Sequence, residues 1–78
     1  MKIENLIGAI GVYNEIRIRV EHETTAETIY LKAARTGAEN ETRNKRMKEA
    51  SRISNSDIKY ICACGNTINI TVQTKGES

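Results

Sequence analysis

The chain has 78 residues, no Phe or Trp, three Tyr, one His, and a net charge of +2 from 12 basic and 10 acidic side chains. A chain this short folds as one domain and buries only about 60% of the surface its unfolded form exposes, so a thin aliphatic core is expected and a deep catalytic cleft is not. The charge is too small to mark a nucleic-acid protein and has the wrong sign for a DNA mimic. No secretory h-region or apolar run of spanning length occurs, so the expectation is a cytoplasmic protein without a membrane partner, its two cysteines reduced.

Ile3, Leu6, Ile7 and Ile10 recur at i, i+3, i+4 and i+7, a single apolar stripe that predicts a short helix over residues 2–10, with Gly11 able to close it as C′ residue. In "NEIRIRVE" the alternation is strict: Ile16, Ile18 and Val20 share one face, and Arg17, Arg19 and Glu21 the other. "EHETTAE" reads as a polar turn, after which "TIYLKAA" places Ile29, Leu31 and Ala33 inward and Tyr30 and Lys32 outward. Residues 14–21 and 27–34 are therefore expected to pair as a hairpin with a charged outer face.

The stretch that follows lacks β-branched alternation and is rich in helix formers, which predicts a second helix over residues 40–53. Its apolar positions Met47, Ala50 and Ile53 form only a narrow seam, so most of it should face water. Asn55, Ser56 and Asp57 form a break, and "IKYICACGNTINITV" supplies two more strands. The fold class is thus α+β in the order αββαββ, with a four-stranded antiparallel sheet and two helices mainly on one face. One small domain over residues 1–74 and a frayed tail over 75–78 complete the expectation. The order suggests two αββ halves, with "NEI" echoed by "SDI", an identity too slight to establish duplication.

Both cysteines lie in the last hairpin, and its register decides where they point. Gly65-Asn66 suits a two-residue II′ turn, with glycine at the first central position, where φ is positive. Cys64 then faces Thr67, Ala63 faces Ile68, Ile61 faces Ile70 and Lys59 faces Val72. Ile58, Tyr60, Cys62 and Cys64 line the opposite face with Asn69 and Thr71. A three-residue loop would reverse the faces, but it usually wants its glycine last.

Little here resembles a reaction centre. Zinc modules space their ligands C-x₂₋₄-C and need four of them, whereas this chain has two cysteines two positions apart and His22. Residues i and i+2 on one strand face stand roughly 6–7 Å apart at Cβ, too far for a disulfide. A catalytic thiol needs a neighbouring base, and nothing places His22 beside the cysteines. His22 with Glu21, Glu23 and Glu27 reads as a solvated turn, and no P-loop, dinucleotide fingerprint or serine-nucleophile motif occurs. No catalytic residue, metal or cofactor is expected, and the protein is not expected to be an enzyme.

Two surfaces remain. Ile58, Tyr60 and Cys62, with Tyr30, form an apolar strip on the sheet face away from the helices, suited to a protein partner or to a second copy in a homodimer. The basic set Arg35, Arg43, Lys45, Arg46, Lys48 and Arg52, with Arg17 and Arg19, could grip phosphates of a nucleic acid or nucleotide. Glu39, Glu41 and Glu49 interleave with that set, and no aromatic is placed to stack a base.

The whole order, "MKIENLIGAIG", "NEIRIRV", "ETIYLKAA", a polar middle and a closing "SDIKYICACGNTINITV", resembles small proteins encoded in phages and prophages of Gram-positive bacteria. Those commonly begin with a short helix, carry an E-x-I-Y-type second strand, here Glu27 to Tyr30, and end in a hairpin. The basic middle helix departs from their often acidic or aromatic middle. The resemblance implies a non-catalytic accessory protein in the host cell that binds and inhibits a host defence component, as anti-CRISPR proteins do, or that binds a signalling nucleotide.

Overall fold

The computed structural model describes residues 2–74. Apolar periodicity at the start gives α1 (Ile3–Ala9), and the two alternating segments give the hairpin of β1 (Glu15–Glu21) and β2 (Ala26–Leu31). The lysine- and arginine-rich middle is α2 (Glu39–Arg52), and the chain closes with β3 (Ser56–Cys64) and β4 (Thr67–Thr74). The predicted αββαββ order and the α+β class are those of the structure, and the tail expected over 75–78 lies outside the described residues.

The sheet runs β2-β1-β4-β3. Both hairpins are antiparallel, but β1 and β4 lie side by side in parallel at the centre, so the sheet is mixed rather than wholly antiparallel. Local alternation specifies which face a strand buries and says nothing about which non-adjacent strand it joins. This arrangement also shows that the two αββ halves are not related by a symmetry of the sheet. The first strand of one hairpin is central, while the first strand of the other is at the edge.

Ile16, Ile18 and Val20 of β1 meet Ile70 and Val72 of β4, Ile29 and Leu31 of β2, Ile3 and Ile7 of α1, and Ala50 and Ile53 of the α2 region in one buried aliphatic cluster. α1 ends differently from the expectation. Its C-cap Ile10 is extended at φ −80°, and Gly11 does not have the positive φ of a C′ glycine. Space rather than conformation restricts Gly11: a Cβ there would stand 3.3 Å from Asn14 Oδ1.

The stripe that α2 buries also departs from the predicted seam. Ala50 and Ile53 are buried, but Met47 is exposed, and Arg46 takes the inward position one turn before Ala50. The acidic Glu39 and Glu41 in the first turn and Arg52 in the last complement the helix dipole.

The last hairpin has the predicted register over most of its length, with Cys64 opposite Thr67, Ala63 opposite Ile68 and Ile61 opposite Ile70. Gly65 has φ 61° and, among the described residues, no non-glycine residue has positive φ, the pattern of a II′ turn. Towards the start of β3 the register shifts between Ile58 and Tyr60, leaving Lys59 as the extra residue of a bulge. Ile58, not Lys59, therefore opposes Val72, and Ile58 packs half-buried against the core instead of lining the open face.

Candidate functional site

Helices occupy one side of the sheet, and its other side carries the outward residues of all four strands. Their alignment follows from the register alone. Arg17 of β1 pairs with Tyr30 of β2 and Asn69 of β4, and Asn69 pairs with Cys62 of β3. The next row is Thr28, Arg19, Thr71 and Tyr60. Two residues predicted for a protein-binding strip, Tyr30 and Tyr60, thus flank two predicted for anion binding, Arg17 and Arg19, on a single surface. With strands about 4.8 Å apart, the two edge strands that bear the tyrosines are separated by roughly 14 Å.

Both phenol rings are open to solvent, Tyr30 at 66% and Tyr60 at 65% exposure. Each has a cation beside it: Arg17 Cζ lies 5.3 Å from the Tyr30 ring centroid and Lys59 Nζ lies 5.9 Å from that of Tyr60. Such contacts are worth about 0.5–1 kcal/mol at exposed positions and hold the rings in place. Tyr30 also stands between two shallow clefts. One is bounded by Glu15, Arg17, Lys32 and Thr67 on the sheet, and the other by Lys32, Glu41, Thr42 and Lys45 towards α2.

The charges on this face are mixed. Glu21 accepts from Lys59 at 2.8 Å and from Arg19 at 3.2 Å. The Lys59 bond, followed by the Arg19 bond, draws the Glu21 pKa below the usual carboxylate value, and the same contact raises that of Lys59. Arg19 and Lys59 are thus locally neutralised, whereas Arg17 is committed to an aromatic ring. Cys62 and Cys64 are free and exposed beside this surface. The apolar strip expected from the sequence loses Ile58, which the bulge turns to the core, and keeps Tyr60, Cys62 and Tyr30 on the open face.

The predicted basic surface of α2 is not one patch. Arg46 is 3% exposed, and its guanidinium donates from Nη1 to Gly11 O at 3.0 Å and from Nη2 to Val12 O at 3.3 Å, Asn14 O at 2.5 Å and Lys32 O at 3.2 Å. Burial lowers its pKa from the usual range, yet an arginine keeps its charge there, and four carbonyl dipoles face it. This side chain ties the α1–β1 loop to the end of β2 and is withdrawn from any anionic partner. Arg52 bonds Glu49 at 3.1 Å and approaches Glu27 at 3.6 Å, and Arg43 donates to Asn40 at 3.4 Å. Arg35, Lys45 and Lys48 remain exposed.

His22 lies in the β1–β2 turn, where its Nε2 is 3.2 Å from Glu27 Oε1 and the histidine bond is the main cause of a lowered Glu27 pKa. Among the described residues no three His, Cys, Asp or Glu side chains are grouped to hold a metal ion, and no helix is long and apolar enough to cross a membrane.

Sequence reasoning missed Asn66 as more than a turn residue. Its side chain donates to Tyr13 O at 2.9 Å and accepts from Asn14 at 2.9 Å, while its carbonyl accepts the Glu15 N–H at 3.0 Å. No local signal could have revealed contacts between positions so distant in the chain. No protein-family model, curated protein or solved structure matches this chain.

Proposed function

We propose that this is a non-catalytic binding protein whose open sheet face docks on a host protein, with Tyr30, Arg17, Arg19 and Tyr60 as its anchors. The observation that carries the reading is the gathering of Tyr30 and Arg17 in one row and Arg19 and Tyr60 in the next, all on the side of the sheet away from the helices. Tyrosine and arginine are the residues that most often dominate binding energy, because they bring large, stiff contact area and several donors at small entropic cost. Thr28, Asn69 and Thr71 between them supply uncharged polar groups. A protein surface suits this mixture better than a phosphate chain does, since Glu21 offsets Arg19 and Lys59 and would repel phosphates. The resemblance to phage- and prophage-encoded proteins supports the finer reading, in which the partner is a host defence protein or the protein part of a ribonucleoprotein and docking inhibits it. Its cytoplasmic setting belongs to the same proposal.

The nucleic-acid reading through α2 is weaker than the sequence suggested, because Arg46 is consumed internally and Arg52 is paired. Capture from bacterial lysate with four baits separates the readings: wild type, Arg17→Ala, Tyr30→Ala and the double variant Lys45→Ala/Lys48→Ala. A protein held stoichiometrically by wild type and the lysine variant, and lost with either sheet variant, is the expected result. Identical captures from all four would sink the sheet-face proposal, and loss with the lysine variant alone would move the site to α2.

A further inference from the structure

We infer that the free edge of β3 is a self-association edge, where a second copy of this chain adds antiparallel to residues 60–64 and extends the sheet from four strands to eight. This does not rest on the proposed function, since it uses the edge of the sheet and not its face.

Among the described residues β3 has a strand partner on one side only, and everything in it from Lys59 to Cys64 is exposed. Ile61 shows the anomaly best: it sits opposite Ile70, which is 1% exposed, yet is itself 53% exposed, because the core side of the sheet is left uncovered at its edge. Natural edges are protected by charge, proline, bulges or shortness. The stretch Tyr60, Ile61, Cys62, Ala63, Cys64 has no charge and no proline, and its one protective feature, the Lys59 bulge, marks where the exposed regular edge begins. The opposite edge is guarded: β2 is shorter, and its Glu27 is engaged by His22 and Arg52.

The occupant follows from the same composition. An uncharged edge discriminates against no uncharged strand, and its own copy meets it without like charges opposed. It also brings a second exposed Ile61 to the pair. A two-fold contact must be self-complementary. The usable edge runs between the bulge at Lys59 and the turn at Gly65, and its midpoint is Cys62. A two-fold axis there sets Tyr60 against the partner's Cys64, Ile61 against the partner's Ala63, and Cys62 against the partner's Cys62. Directly opposed residues of antiparallel strands have Cα atoms about 4.5–5.5 Å apart, inside the range of about 4.4–6.8 Å that a disulfide tolerates. Cys64 lies beyond that range from either partner cysteine, because diagonal neighbours are already about 7–8 Å apart.

The test combines light scattering after size exclusion with copper-phenanthroline oxidation, in which two thiols give up two electrons and two protons to the oxidant. Expected are a dimer whose fraction rises with concentration, a cross-linked dimer from Cys64→Ser, and little or none from Cys62→Ser. Ile61→Lys should yield a monomer with an unchanged circular dichroism spectrum, and if that variant unfolds, Ala63→Lys supplies the same charge on the edge. A wild-type monomer up to about 1 mM, a dimer that survives the edge lysine, or cross-linking that persists in Cys62→Ser would each overturn the inference.

Discussion

The side-chain amides of Asn14 and Asn66, 52 positions apart in the chain, are joined by a hydrogen bond of 2.9 Å. That bond, together with the Asn66 contacts to Tyr13 and Glu15, fastens the β3–β4 turn to the entry of β1. At the other end of the same strand pair, Gln73 and Thr74 donate from their side chains to Glu21 O. The parallel β1–β4 junction, which no tight turn enforces, is therefore clasped at both ends.

Asn66→Ala should cost about 1–2 kcal/mol, because side-chain bonds are lost and the Tyr13 carbonyl loses a donor. Gly65→Ala should cost about 1 kcal/mol through its positive φ, without touching that clasp. Urea unfolding of the two single variants and the double variant measures both effects.

Arg46→Ala should destabilise by about 3 kcal/mol or more, since bonds from a charged donor are each worth about 1.5–3 kcal/mol and the carbonyls left behind remain partly buried. Against a total stability of about 4–12 kcal/mol, from ~0.05–0.15 kcal/mol per residue, that is a large fraction. Arg46→Lys should recover only part of it, because an ammonium is a point donor and cannot span four oxygens. A Lys45→Ala control should stay within about 0.5 kcal/mol of wild type.

Tyr60→Glu should leave the circular dichroism spectrum and melting temperature close to wild type, because the ring is mostly exposed. Ile70→Glu should prevent folding, as a carboxylate placed at a position 1% exposed costs several kcal/mol. A folded Ile70→Glu alongside an unfolded Tyr60→Glu would mean that the two faces of the last hairpin are reversed.

Acid should weaken the fold through Glu21, whose bonds to Lys59 and Arg19 depress its pKa. A carboxyl that is more acidic folded than unfolded binds fewer protons in the native state. Its contribution is complete above the unfolded value of about 4.3 and is lost as pH falls through the lower folded value. Glu21→Gln should therefore flatten the fall in stability below about pH 4.3 and change its slope little near neutrality, as read from denaturant midpoints across pH.

Much of the architecture was already present as local pattern. The alternation of Ile16, Ile18 and Val20 with Arg17 and Arg19 appears unchanged as buried and exposed faces of β1, and only Glu21 at its end is half-buried. Glycine at the first position of Gly65-Asn66 set the register that pairs Ile61 with Ile70 and turns Cys62 to the open face. Both rest on short-range sterics and period-two geometry, which act within a few residues. What only the tertiary structure decided is which distant groups met. β4 lies parallel to β1, the bulge at Lys59 moves Ile58 to the core, and the loop carbonyls of Gly11, Val12 and Asn14 draw Arg46 inward from a helix that its composition marked as solvent-facing. Each depends on the free energy of burying one particular surface against another, and a linear pattern specifies what a segment can bury without naming its partner.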